Sequence, residues 1–147
     1  MKFRQLGILG AIAAHLLLAG CAGSTKDTSV LEGRWRNVST KYYFSNGTNS
    51  TGVTTRCSIE FFKKQSVSEC VSSRGTDRIV YAFHMQGPNK YETEVVENKN
   101  FPQFVGTRVR TEFRLENSML LTTSFPPPPK EGASSFPIKV ESRWIRE

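Results

Sequence analysis

Beyond its first thirty residues the chain alternates with a period of two almost everywhere, and no stretch carries a convincing helical period. Val53, Thr55, Cys57, Ile59 and Phe61 are apolar or small, and the residues between them are polar. A half-buried strand has this pattern. Residues 62–65 read as a turn, and residues 66–73 return as a second strand. Centring that turn on Lys63 and Lys64 sets Cys57 opposite Cys70. Gly75 and Asp77 mark the next break. Ile79, Tyr81, Phe83 and Met85 then alternate with Val80, Ala82 and His84, so this strand is apolar on both faces and reads as central. Residues 91–95 form a strand with carboxylates on one side. In residues 107–115 the inner row is Thr107, Val109, Thr111, Phe113 and Leu115, beneath an outer row of Arg108, Arg110, Glu112 and Arg114. Residues 119–125 follow, then four prolines at 126–129, which cannot join a ladder. Phe136, Ile138, Val140, Ser142 and Trp144 share one face of the last strand. Residues 45–52 and 98–103 read as loops. About eight strands separated by turn signals predict an all-β fold, a small antiparallel up-and-down barrel. Closure removes the exposed edges of such a sheet.

Ahead of this domain stands a different kind of segment. Met1-Lys2-Phe3-Arg4 is basic and residues 6–19 are apolar. A positive start followed by a short apolar run is secretory signal architecture, and the run is too short to cross about 30 Å of hydrocarbon. Leu18-Ala19-Gly20-Cys21 resembles the lipobox of bacterial lipoprotein precursors. That resemblance implies a signal peptide over 1–20, a palmitate-bearing cysteine at Cys21, a tether over 21–30 and a domain over 31–147. It also implies a bacterial outer-membrane anchor with the domain facing the periplasm, because Ala22 stands where an aspartate would resemble an inner-membrane retention signal.

The formal net charge is +7, and Lys2 and Arg4 would leave with the leader. The remaining basic excess suits anionic surroundings such as lipid head groups or an acidic protein. Nucleic acid is excluded for an exported, anchored chain. With Cys21 acylated, Cys57 and Cys70 remain as a pair, and an oxidising compartment makes a disulfide the expectation. No metal is expected, because two cysteines and His84 lack zinc-site spacing. No cofactor motif is present. His84 and Asp77 have no nucleophile elbow beside them, so no catalytic residues are assigned and the chain reads as a non-enzyme.

The two ends of the domain resemble a family. Gly33-Arg34-Trp35 is similar to the Gly-x-Trp of lipocalins and other calycins, and Trp144-Ile145-Arg146 is similar to the terminal aromatic-x-Arg of small bacterial lipocalin-like domains. The resemblance implies that Gly33, Trp35 and Arg146 close the barrel, with the guanidinium across the indole face. It implies an interior lined by Phe61, Tyr81, Phe83, Phe113 and Trp144 that holds an apolar or lipid-like molecule. Arg108, Arg110 and Arg114 form a candidate docking surface for anionic lipid or an acidic protein. The competing expectation is a protein-interaction module, an accessory subunit of an envelope complex or an inhibitor of a periplasmic enzyme, presenting residues 126–135. A purely structural lipoprotein is the third expectation.

Overall fold

A computed structural model describes residues 28–52, 56–129 and 133–147. The leader, Cys21, most of the tether, the start of the strand expected at 53–61 and residues 130–132 lie outside the described residues. The strands are β1 (Gly33–Phe44), β2 (Asn49–Gly52), β3 (Arg56–Phe61), β4 (Gln65–Ser72), β5 (Gly75–Gly87), β6 (Lys90–Asn98), β7 (Arg108–Glu116), β8 (Met119–Phe125) and β9 (Pro137–Arg146). All pairings are antiparallel, in the order β2-β1-β3-β4-β5-β6-β7-β8-β9, and β1 also pairs with β9. The sheet is therefore a closed eight-stranded meander, to which β2 is added as a short hairpin arm on the far half of β1.

The β2 arm corrects the expectation of a loop over 45–52. Only residues 45–48 turn. Asn46 accepts hydrogen bonds through Oδ1 from the Thr48 amide at 3.0 Å and its hydroxyl at 2.7 Å. Gly47 adopts the left-handed φ of 83° that this tight reversal needs. The backbone of Asn49–Gly52 is then free to pair with residues 40–43. Its side chains are polar and exposed, so no hydrophobic alternation marked it.

Other boundaries shift for similar reasons. Gly75, with φ 123°, is already part of β5, so the break expected at 75–77 is confined to residues 73–74. The strand expected to end at Val95 runs on to Asn98 across a register irregularity between the partners of Val80 and Tyr81. Pro102–Phe104 forms one 3-10 turn in the loop beyond. Elsewhere the expected register holds: Phe61 opposes Ser66 and Cys57 opposes Cys70. The β7–β8 turn places Asn117 and Ser118 at φ 49° and 63°, the left-handed pair of a tight two-residue hairpin.

A second irregularity falls in β1, where Asn37 pairs with Trp144 but Ser39 pairs with Arg143. Val38 is the extra residue and is exposed. An added residue moves the inward row from Trp35 and Asn37 to Thr40 and Tyr42. The bend gives the barrel two unlike halves.

Candidate functional site

One end of the barrel is sealed. The Trp35 indole is 1% exposed and donates from Nε1 to the Leu31 carbonyl at 2.8 Å. Arg146 pairs with Trp35 across β1 and β9, and its Cζ lies 4.4 Å from the indole centroid. The same guanidinium donates to the carbonyls of Glu32 at 2.8 Å and Val30 at 2.9 Å. It thus stacks on the aromatic ring and fastens the entering chain, with Leu31 wholly buried beside it. Gly33 has φ 109°, and a Cβ there would meet the Arg146 Nη1 at 3.4 Å. The left-handed φ is what favours glycine here, and the Arg146 contact is an ordinary one.

Above this seal Phe61, Phe83, Tyr91 and Phe113 pack in a chain of ring contacts at 5.2–5.8 Å between successive centroids. With Met85 and Leu120 they fill the lumen at this level. Of the expected ligand-lining residues, Phe61, Phe83 and Phe113 therefore belong to the packed core. Tyr81 is half-buried and sits nearer the other end, whereas Trp144 is half-buried and packs against this core, opposite Leu120. Leu115, expected on the inner row, lies at the strand's end and is exposed.

That other end is open. It carries the 45–48 turn, the 99–107 loop and the proline segment, whereas the sealed end has short turns. By register with the buried core positions, Tyr42, Ile79, Tyr81, Val109 and Val140 point inward, yet each is only half-buried. Inward residues of a closed barrel gain exposure through its mouth. The Cys57–Cys70 disulfide bridges β3 and β4 on this half. Phe101, Phe104 and Val105 are exposed in the loop beside the rim.

Between core and mouth the inner wall is built of hydroxyls. Thr40 and Ser142 meet at 3.0 Å, Thr111 and Ser124 at 2.9 Å, and Ser68 and the Tyr81 phenol at 3.3 Å. Trp144 donates from Nε1 to the Thr122 hydroxyl at 3.1 Å. Ser66, opposite Thr122 around the barrel, is fully buried, and its Oγ has no hydrogen-bond partner. An unsatisfied buried hydroxyl costs about 1–3 kcal/mol. Burial pushes the Tyr91 phenol far above its usual range against a counteracting hydrogen bond from Thr111, and raises that of Tyr81. Both phenols are neutral at physiological pH. Among the described residues, no charged side chain faces the lumen between Arg146 at the seal and Asp77 at the rim.

The hydroxyl wall escaped the reading of the sequence. Its signal was present as Ser or Thr at inward positions of β4, β6, β7, β8 and β9. Small hydroxyl residues carry little weight in a hydrophobic pattern, so only the register exposes the row.

On the outside, the expected basic row is largely neutralised. Arg108 pairs with Glu94 at 2.8 Å and Glu92 at 3.9 Å, and Arg114 pairs with Glu116 at 3.0 Å. Arg110 faces Glu92 and Phe125 on the neighbouring strands. A pocket of about 820 Å³ is bordered by β1, β7, β8, β9 and the start of β6, with charged Lys90, Glu112 and Glu141 and inward Thr40, Thr122 and Ser142 in its lining. Some of its charges are matched by neighbours, while Lys41 and Arg143 carry no ion pair among the described residues. Lys90 reaches Glu112 at 2.8 Å, and Glu141 accepts from the Tyr43 phenol at 2.7 Å and from Lys139 at 3.0 Å. Those two donors hold the Glu141 carboxyl below its usual range. Among the described residues no group of His, Cys, Asp and Glu is placed to hold a metal ion.

These features define a lipocalin-like barrel, sealed at one end and open at the other. A lipocalin-like protein from Bacteroides uniformis has a similar structure, with a TM-score of 0.51 and 17% identity over 80% of this chain and 98% of its own. A second similar structure, an uncharacterized protein from Bacteroides eggerthii, has a TM-score of 0.49 and 10% identity, covering 80% of this chain and 99% of its own. No family model matches the chain, and no curated protein matches it.

Proposed function

We propose that the chain is a lipid-anchored protein of the bacterial cell envelope that takes a small apolar or lipid-like molecule into the open half of its barrel. The observation carrying this reading is the half-exposure of inward Ile79, Tyr81, Val109 and Val140, opposite a sealed aromatic core. Each methylene moved from water onto such a wall contributes about 0.8 kcal/mol, so a medium acyl chain supplies micromolar binding. The fluorescent apolar probe N-phenyl-1-naphthylamine should bind saturably with a stoichiometry near one. Val109→Trp, which fills the mouth, should abolish that binding while the fold is retained. Absence of saturable binding to the parent chain would refute the reading.

The anchor rests on residues 1–21, above all Leu18-Ala19-Gly20-Cys21. Serine cannot form the thioether to lipid, so Cys21→Ser should move the protein from the membrane fraction to the soluble one or leave it unprocessed. Recovery of the variant in the outer membrane at the parent level would remove the anchor from the proposal. The described chain enters at the sealed end, where Leu31 packs under Trp35.

A further inference from the structure

Resting on the ligand reading above, we infer that the occupant of the barrel is an uncharged amphiphile whose head group carries ester or hydroxyl oxygens and faces the hydroxyl wall. Three observations support this class. Ser66 has a fully buried Oγ with no partner, so the wall holds a hydrogen-bonding group that the protein leaves unused. Across the barrel, Thr122 accepts from the Trp144 indole, and no acceptor for its own proton is present among the described residues. Two hydroxyl donors thus stand on opposite strands, β4 and β8, each beside a core aromatic: Ser66 opposes Phe61 and Thr122 opposes Phe113.

The charge distribution supplies the third argument. A carboxylate or phosphate brought to this depth would lose its hydration and find no cation, and an unpaired ion in such surroundings is strongly disfavoured. Arg146, the one inward cation among the described strand residues, is stacked on Trp35 and bonded to two carbonyls below the core. Asp77 at the rim bonds Asn100 and repels anions. A neutral ester or alcohol keeps its hydrogen bonds by exchanging water for the wall, and its chain lies along the half-buried apolar side chains toward the mouth.

The experiment is competition against N-phenyl-1-naphthylamine at pH 8, using the full chain carrying Cys21→Ser so that no acyl group of its own interferes. The competitors are 1-decanoylglycerol and decanoate, which share a chain and differ in head-group charge. The neutral ester should compete at least tenfold more strongly. Ser66→Ala and Thr122→Val, separately, should each weaken the ester several-fold and leave probe and decanoate affinities unchanged. Ser66→Ala removes only the orphan oxygen and keeps the fold available for measurement. Equal competition by ester and carboxylate, or ester binding unaltered in both variants, would overturn the inference while probe binding keeps the ligand reading. Failure of the probe itself to bind would overturn both.

Discussion

Trp35→Ala should lower unfolding stability by about 3–5 kcal/mol, the range for deleting a large aromatic from a core that cannot collapse around the gap. The indole is 1% exposed, touches the fully buried Leu31 segment through its Nε1 bond and supports the Arg146 guanidinium. Its loss removes a wall of the core and the surface on which the clamp rests. Arg146→Ala should cost less, about 1–2 kcal/mol, combining the cation–π contact with charge-assisted bonds to two carbonyls. The double variant should be less than additive, because removing the ring already releases part of what the guanidinium does. Urea unfolding of the four proteins measures the cycle. Strict additivity would show that Arg146 acts only through the carbonyls of Val30 and Glu32. Arg146→Lys should recover little, since a point ammonium cannot stack and reach both carbonyls together.

Replacing Cys57 and Cys70 by alanine should cost about 3 kcal/mol, from the greater freedom of the unfolded chain once the loop is unclosed. The bonded residues are 13 apart in sequence. For a domain of this size that loss lowers the melting temperature by roughly 10–15 °C. The fold itself should persist, because five other residue pairs keep β3 and β4 in register around the bridge. Calorimetry of the oxidised, reduced and alanine forms gives the comparison. Free thiols in the mature protein under non-reducing alkylation, or a loss below about 1 kcal/mol, would contradict the argument.

The two predictions differ in how they could be foreseen. The Cys57–Cys70 pair was legible because a hairpin is local. A turn on Lys63-Lys64 sets every pairing from Phe61 and Ser66 outward, the pair of cysteines among them. Trp35 and Arg146 were placed together only through a three-residue likeness at each end of the domain. That the same guanidinium also holds Val30 and Glu32 is a property of the closed barrel, since those carbonyls approach it only after β1 and β9 have paired.

Alternation by itself determined that the chain forms antiparallel strands, roughly where each lies and which residues face inward, because the pleat alternates residue by residue. It could not determine depth. Phe61, Phe83 and Phe113 looked the same as Tyr81 in an inward row, yet three pack in the core and one faces the opening. Depth depends on how far neighbouring strands are staggered and on the irregularities in β1 and between β5 and β6, which are long-range pairings. The β2 arm, the neutralised arginine row and the hydroxyl wall belong to the same group. The arm is a local hairpin that carries no hydrophobic alternation, while the ion pairs of Arg108 and the hydroxyl contacts form only where neighbouring strands have paired in register.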